Sequence, residues 1–313
     1  MTELERIGRL VDRFTHRALI VPSGDDAAVA RPRGAVSVTS VDAVVEGVHF
    51  SSSAWPMHAV GRKAVASALS DLAAMGADVG EIYIASGVPK DFDEASFEEL
   101  TDGIAAAADF SGAVVAGGDL VASSELWLAV TVVGYAASED SVATRTGACP
   151  GDVIAVTGNL GGSARALELL EQGAPADDPR LAKQFAPEPR LAAGAALVAA
   201  GATAMIDISD GLARDAGHIA SAGKVGMEIE LAALPLADTV ADPSYAAASG
   251  EEYELLVTIP VAGIAAATTA VQQTGTALTE IGQVTERLGV RLVDARGDEV
   301  EVRGFDHFDG VDQ

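Results

Sequence analysis

The chain is expected to fold as two mixed α/β halves, of α+β class overall. Short β-branched apolar segments alternate along it with longer segments of helical period. Its 313 residues suit two ordinary domains better than one. The texture also changes near residue 138, where a polar, turn-rich stretch closes on Cys149-Pro-Gly-Asp152. Together these features divide the chain into residues 1–137 and 138–313.

In the first half, Ala35–Val41 and Glu81–Ser86 read as strands, partly alternating and β-branched. Between them His58–Met75 has helical spacing and ends on Gly76, a residue suited to a helix C′ position. Phe92–Phe110 reads as a second helix, and Val114–Asp119 and Leu126–Val133 as further strands. The order expected is β-β-α-β-α-β-β, a layer with its helices on one face. The second half opens with the strand Val153–Thr157, a glycine-rich turn and the helix Ser163–Glu171. A long polar connection, Gly173–Pro189, follows. Strands are then expected at Ala204–Ile208, Met227–Leu231, Tyr253–Ile259 and Gly289–Val293, with helices between.

Composition narrows the class. The chain is 49% hydrophobic, only 4% aromatic, and has a mean hydropathy of +0.27, which describes a folded protein. A net charge of −26 argues against a nucleic-acid surface. Lysine occurs only at 63, 90, 183 and 224, and this scarcity suggests work in high salt, where self-repulsion is screened. Cys149, the sole cysteine, forbids an intramolecular disulfide. The N-terminus is charged and lacks a signal-peptide core, and the longest uncharged run, Leu191–Ile206, is too short to span a bilayer. A soluble, cytoplasmic protein without membrane contact is expected.

Five places repeat one pattern, aspartate beside glycine or serine next to an apolar element. They are Gly24-Asp25-Asp26, Thr39-Ser-Val-Asp42, Ser70-Asp71, Gly117-Gly-Asp119 and Asp207-Ile-Ser-Asp-Gly211. Taken singly, each is more often a turn or a cap than a ligand. Asp71 differs, since a mid-helix carboxylate is either on the solvated stripe or buried with a partner. Recurrence favours hard oxygen ligands arriving from several loop ends, the donor type that Mg²⁺ takes. The P-loop, protein-kinase, EF-hand and Gly-x-Ser-x-Gly signatures are absent, and one cysteine cannot build a thiolate zinc site. Gly158-Asn-Leu-Gly-Gly162 could cradle an anion but reads more readily as a plain strand-to-helix turn. Glu251-Glu-Tyr-Glu254, unaided, reads as a charged turn, and Glu168 as a solvated helix position.

In order along the chain, these motifs resemble those of the thiamine-monophosphate kinases. The matching pieces are Gly24-Asp-Asp-Ala27, Asp42 with Glu46-Gly-Val-His-Phe50, Ser70-Asp-Leu-Ala-Ala-Met-Gly-Ala77, Gly117-Gly-Asp119, and Thr144-Arg-Thr-Gly147 with Pro150-Gly-Asp152. They continue with Asp207-Ile-Ser-Asp-Gly-Leu212, Gly250-Glu-Glu-Tyr-Glu-Leu255 and Gly304-Phe-Asp-His-Phe308. The resemblance implies ATP-dependent, in-line phosphorylation of thiamine monophosphate to thiamine diphosphate, with several Mg²⁺ ions. It implies metal contacts at Asp26, Ser40, Asp42, Asp71, Asp119, Asp207 and Asp210, ATP contacts at Gly118, Asp119, Arg145 and Ser209, and acceptor contacts at His49, Glu251 and Phe305. No general base is assigned, because a phosphate acceptor is already ionised. The resemblance further implies a homodimer whose N-terminal strands form a barrel across the interface. Three positions depart from the family pattern: Val41 for a common threonine, Glu252 for aspartate, and Phe305 for a more polar aromatic. Aminoimidazole ribonucleotide synthetase or another ATP-dependent relative stays an alternative, as does a non-enzymatic acidic metal-binding protein.

Overall fold

The computed structural model describes residues 2–14, 18–22, 24–302, 304 and 305. Asp306, His307 and Phe308 of the last motif lie outside the described residues. The first half runs α1 (Glu3–Phe14), β1 (Val36–Val45), α2 (Met57–Met75), β2 (Asp78–Pro89), α3 (Glu94–Ser111), β3 (Val114–Ser123) and β4 (Trp127–Ala136). Its first element is therefore a helix, where a strand was expected. Ile7, Leu10, Val11 and Phe14 recur at helical spacing among the charges, and they line a cavity beside β2, β3 and α3. The sheet order is β1-β4-β2-β3, with β2 and β3 parallel and the other pairs antiparallel. Helices α2 and α3 cover one face, where Val65, Leu69 and Leu72 join one core with Ile82, Val130 and Val132. On the other face of β1, Ser37, Thr39, Val41 and Ala43 are exposed.

Helix α2 stops where its sequence says it must. Gly76 adopts φ 66, its N–H bonds to the Ala73 carbonyl, and the Ala77 N–H reaches the Leu72 carbonyl. That pair of bonds is a Schellman ending, and the left-handed residue inside it favours glycine. At the other end of the connection Asp93 caps α3, accepting from the Ser96 N–H at 3.0 Å.

The second half contains β5 (Val153–Thr157), α4 (Gly162–Glu171), α5 (Ala182–Phe185), α6 (Leu191–Ala199), β6 (Ala204–Asp207) and α7 (Leu212–Gly223). It continues with β7 (Gly226–Glu230), α8 (Pro243–Ala248), β8 (Leu255–Ile259), α9 (Ile264–Gln272), β9 (Leu278–Thr285) and β10 (Gly289–Val293). The six strands lie in the order β10-β7-β9-β5-β8-β6, antiparallel except for β10 beside β7. Strand β9 was not expected, although it pairs with β7 and β5 on its two sides. The long connection is not structureless either, since it holds α5.

The halves share their cores. Leu181 and Phe185, from the connection and α5, pack into the first half's core, and the Trp55 and Phe185 rings meet at 4.9 Å between centroids. Ala73 and Ala74 of α2 pack in turn with Leu197, Met205 and Val257. Helix α2 thus sits between the two sheets with almost every side chain buried. Among the described residues no helix is long and apolar enough to cross a membrane.

Candidate active site

Four of the expected carboxylates meet at the seam between the halves. Strand β1 brings Asp42, α2 brings Asp71, β6 ends on Asp207, and the turn beyond it carries Ser209 and Asp210. All five line one cavity of about 610 Å³. Ser40 Oγ donates to Asp71, and Ser70 Oγ donates to Asp207 Oδ2 at 2.7 Å. Ser40 therefore touches the acidic group through Asp71. Burial raises the Asp71 carboxyl above its ordinary value, and the nearby Asp42 adds to the rise. Asp207 is pushed up to about 7, first by burial and then by the charge of Asp71. Arg145, from an exposed loop, acts on both carboxylates in the opposite sense. The donor set is one that suits Mg²⁺: hard oxygens whose mutual repulsion and burial a bound cation would relieve.

Sequence reasoning passed over the residue that shapes the turn. Asp215, one turn into α7, is buried, and its Oδ2 accepts from the backbone N–H groups of Ser209, Asp210 and Gly211, each at 3.1 Å. Burial, then the charges of Asp207 and Asp210, push it up to about 7. The only signal for it is an acid within the first turn of a helix. Among the described residues, Asp210, Asp215 and His218 are the one group of three acids or histidines with ligand atoms within 4.8 Å of one another. The expected set Asp42, Asp71 and Asp207 is more widely spread.

The same cavity is lined by the three expected acceptor residues, His49, Glu251 and Phe305. Nδ1 of His49 accepts from the Val45 N–H at 3.1 Å, which fixes the ring. The Phe305 N–H bonds to the Asp210 carbonyl at 2.9 Å, and Arg214 donates to the Phe305 carbonyl, so Phe305 is seated on the turn that carries Ser209 and Asp210. The Phe305 ring is 52% exposed at the rim. Glu251 reaches in from a backbone at φ 57, and Tyr253, two residues on, has φ 53. Positive φ at two non-glycine residues costs energy and is characteristic of functional segments. Buried Tyr253 also lines the cavity and was not singled out from sequence. Burial, and then the charges of Glu251 and Asp42, hold its hydroxyl well above the ordinary phenol value.

The rest of that acidic motif is internal, not a charged turn. Glu252 is 1% exposed and accepts from the N–H groups of Gly161 and Ser163, at 2.9 and 3.1 Å, and from Ser249 Oγ. The glycine-rich turn does cradle an anion, but the anion is the protein's own. Glu254 is fully buried against Arg190, whose guanidinium bonds both carboxylate oxygens, and against Lys183 at 2.6 Å and Thr157 at 2.8 Å. Of the three glutamates only Glu251 faces the cavity. Glu168 is not a plain solvated position, since it pairs with Arg165 at 2.7 Å.

Asp26, Gly118 and Asp119 lie elsewhere. They line the cavity of about 580 Å³ under α1, together with Tyr83, Phe97 and Leu100. In the sheet register Asp42 sits opposite Val130, Val130 opposite Ile84, and Ile84 opposite Gly118. Asp42 and Gly118 are therefore level but three strand spacings apart, roughly 14 Å at about 4.8 Å each. The seven expected ligands thus divide into two sets within one chain. Gly118 has a packing reason of its own, since a Cβ there would meet the Ile84 carbonyl at 2.0 Å.

Comparison with known proteins adds an independent line. Residues 24–136 match the family described as AIR synthase related protein, N-terminal domain, and residues 149–295 match its C-terminal domain. The chain is 37% identical over 310 residues to a thiamine-monophosphate kinase of Halobacterium salinarum, covering 97% of this chain and 98% of that one. It is 34% identical over 323 residues to the Escherichia coli protein of that name, with 98% of each covered. Its fold is similar to the crystal structure of thiamine-monophosphate kinase from Stenotrophomonas maltophilia, with TM-score 0.85 and 31% identity over 96% of this chain and 98% of that one. It is also similar to AaThiL complexed with AMPPCP and TMP, with TM-score 0.78 and 29% identity over 98% and 97%.

Proposed function

The chain belongs to the thiamine-monophosphate kinase family of the AIR synthase-related proteins, and from that premise we propose that it phosphorylates thiamine monophosphate to thiamine diphosphate at the expense of ATP. The observation that carries this reading is a single cavity lined both by the carboxylates Asp42, Asp71, Asp207 and Asp210 and by His49, Glu251 and Phe305. A solved relative is a complex with AMPPCP and TMP, an ATP-type ligand and an acceptor together.

In this reading Asp42, Asp71, Asp207 and Asp210 hold Mg²⁺, with Ser40 orienting Asp71 and Ser70 orienting Asp207. Bound Mg²⁺ supplies charge neutralisation between the phosphates. Arg145 and Ser209 contact the transferred end of ATP. His49 and Glu251 fix the acceptor, and the Phe305 ring offers a face to a cationic heterocycle. Transfer through a loose transition state asks for in-line positioning more than for a nucleophilic side chain, and an ionised acceptor oxygen needs no base.

Asp26, Gly118 and Asp119 complete the ATP and Mg²⁺ set in a homodimer paired through the N-terminal sheets. Two observations support the dimer: these residues stand apart from Asp42 within one chain, and Val41 and Val121, on the two edge strands, are 62% and 44% exposed. The division of the chain at 137/138 is part of the same reading.

The test is one assay with ATP, Mg²⁺ and thiamine monophosphate, with products separated by chromatography. Thiamine diphosphate and ADP are expected in equal amounts, and EDTA should abolish both. Binding of Mg-ATP by calorimetry without any diphosphate formed would keep the fold assignment and discard the acceptor.

A further inference from the structure

Helix α2 is lined with small apolar residues, yet it carries a lysine that is 1% exposed. Nothing in the kinase scheme uses Lys63. A buried ammonium is costly unless each of its hydrogens is satisfied. Here all three are: Nζ lies 2.6 Å from Glu251 Oε1, 2.9 Å from Gln184 Oε1 and 3.2 Å from the His49 carbonyl. The Trp55 ring closes the remaining side at 4.8 Å. Gln184, itself buried, completes a triangle by donating Nε2 to Glu251 Oε2 at 3.0 Å. The same nitrogen lies 2.7 Å from Ser163 Oγ.

The consequence falls on Glu251. Each of its carboxylate oxygens already has a donor from the protein, its backbone N–H is bonded to the Ser209 carbonyl at 2.7 Å, and its φ of 57 leaves the main chain little freedom. The carboxylate so held lines the cavity. The ammonium that fixes Glu251 also grips the His49 carbonyl, so one charge ties together acceptor-side residues from both halves. Burial pulls Lys63 below the ordinary lysine value, and Glu251 beside it pulls back.

We propose that Lys63, with Gln184, is a positioning residue that presents the Glu251 carboxylate and the His49 segment to a hydrogen-bond donor on the acceptor's heterocyclic end, and so sets acceptor selectivity. This rests on the kinase reading. Lys63 touches no reacting atom, so its loss acts on acceptor binding and leaves the nucleotide step alone.

The experiment is a double-mutant cycle with Lys63→Met, Glu251→Gln and both together, each first checked for a cooperative melt. KM for thiamine monophosphate, KM for ATP and kcat are measured, and thiamine monophosphate is also titrated calorimetrically without nucleotide. Lys63→Met should raise the acceptor KM about tenfold or more and leave the ATP KM within about twofold; in the Glu251→Gln background it should add less than about twofold, because the two residues act as one unit. Gln184→Leu should move the acceptor KM in the same direction, and it serves if Lys63→Met does not fold. Independent, multiplying effects of Lys63→Met and Glu251→Gln would overturn the proposal, as would equal changes in both KM values. A wild-type protein that neither binds nor phosphorylates thiamine monophosphate would remove the kinase reading itself; normal wild-type turnover with an unaltered acceptor KM in Lys63→Met and Gln184→Leu would remove only this inference.

Discussion

Asp207 is held in a state that a metal-free protein pays to keep. Its carboxyl is pushed from an ordinary 3.8 to about 7, chiefly by burial and next by Asp71. A carboxyl raised in the folded state favours folding most while protonated, below its unfolded value, and that contribution is lost as pH climbs through the folded one. The metal-free protein should therefore lose thermal stability between about pH 4 and pH 7, with Asp215 adding in the same direction. Asp207→Asn in EDTA should melt higher than wild type above pH 7 and show a shallower pH slope. In the Mg²⁺ assay the same variant should turn over about 100-fold slower or worse, as losing a metal contact worth several kcal/mol implies. Equal melting temperatures for the two proteins at pH 8 would show that the charge is not under strain. Asp42, Asp71, Asp207 and Asp210 stood out in the sequence through the recurrence of aspartate beside glycine or serine and through the family resemblance, and the fold brings all four to one cavity. Lys63 did not stand out, since a lone lysine in an alanine-rich helix reads as a solvated position. What buries it includes Gln184, 121 positions further along the chain, and no local pattern carries that information.

The turn between β6 and α7 depends on one acceptor. Removing the Asp215 carboxylate leaves three backbone N–H groups without their shared partner. Asp215→Ala should cost about 3 kcal/mol, and Asp215→Asn, which keeps an oxygen there, roughly half as much. Urea midpoints at constant slope would measure both, and a cost below about 0.5 kcal/mol for the alanine variant would show that the turn holds itself. Element boundaries were readable where capping chemistry sets them, as at Gly76. They failed where tertiary pairing decides. Strand β9 has burial that does not alternate cleanly along Leu278–Thr285, and its identity comes from the strands on either side. Helix α1 was missed for another reason: its charges hid the apolar spacing of Ile7, Leu10, Val11 and Phe14, which shows its purpose only beside the cavity it covers.

At the scale of the whole molecule the charge of −26 reflects 46 acidic residues against 20 lysines and arginines. Two of the four lysines, Lys63 and Lys183, are committed to Glu251 and Glu254 inside the molecule. Each of these pairs cancels its own charge, so the net −26 falls on the remaining groups, and its self-repulsion is screened once the Debye length falls to about 3 Å near 1 M salt. The melting temperature should rise from low to molar KCl, and a flat or falling response would remove the high-salt assignment. The grip of Lys63 also bears on inheritance. A first half grafted onto a second half from a relative would bring a buried ammonium to a seam built for another partner, and its cost would appear at the join even if each half were sound. Lys63, Gln184 and Glu251 would have to travel together in any working chimera, so these three positions should be expected to change in concert or not at all.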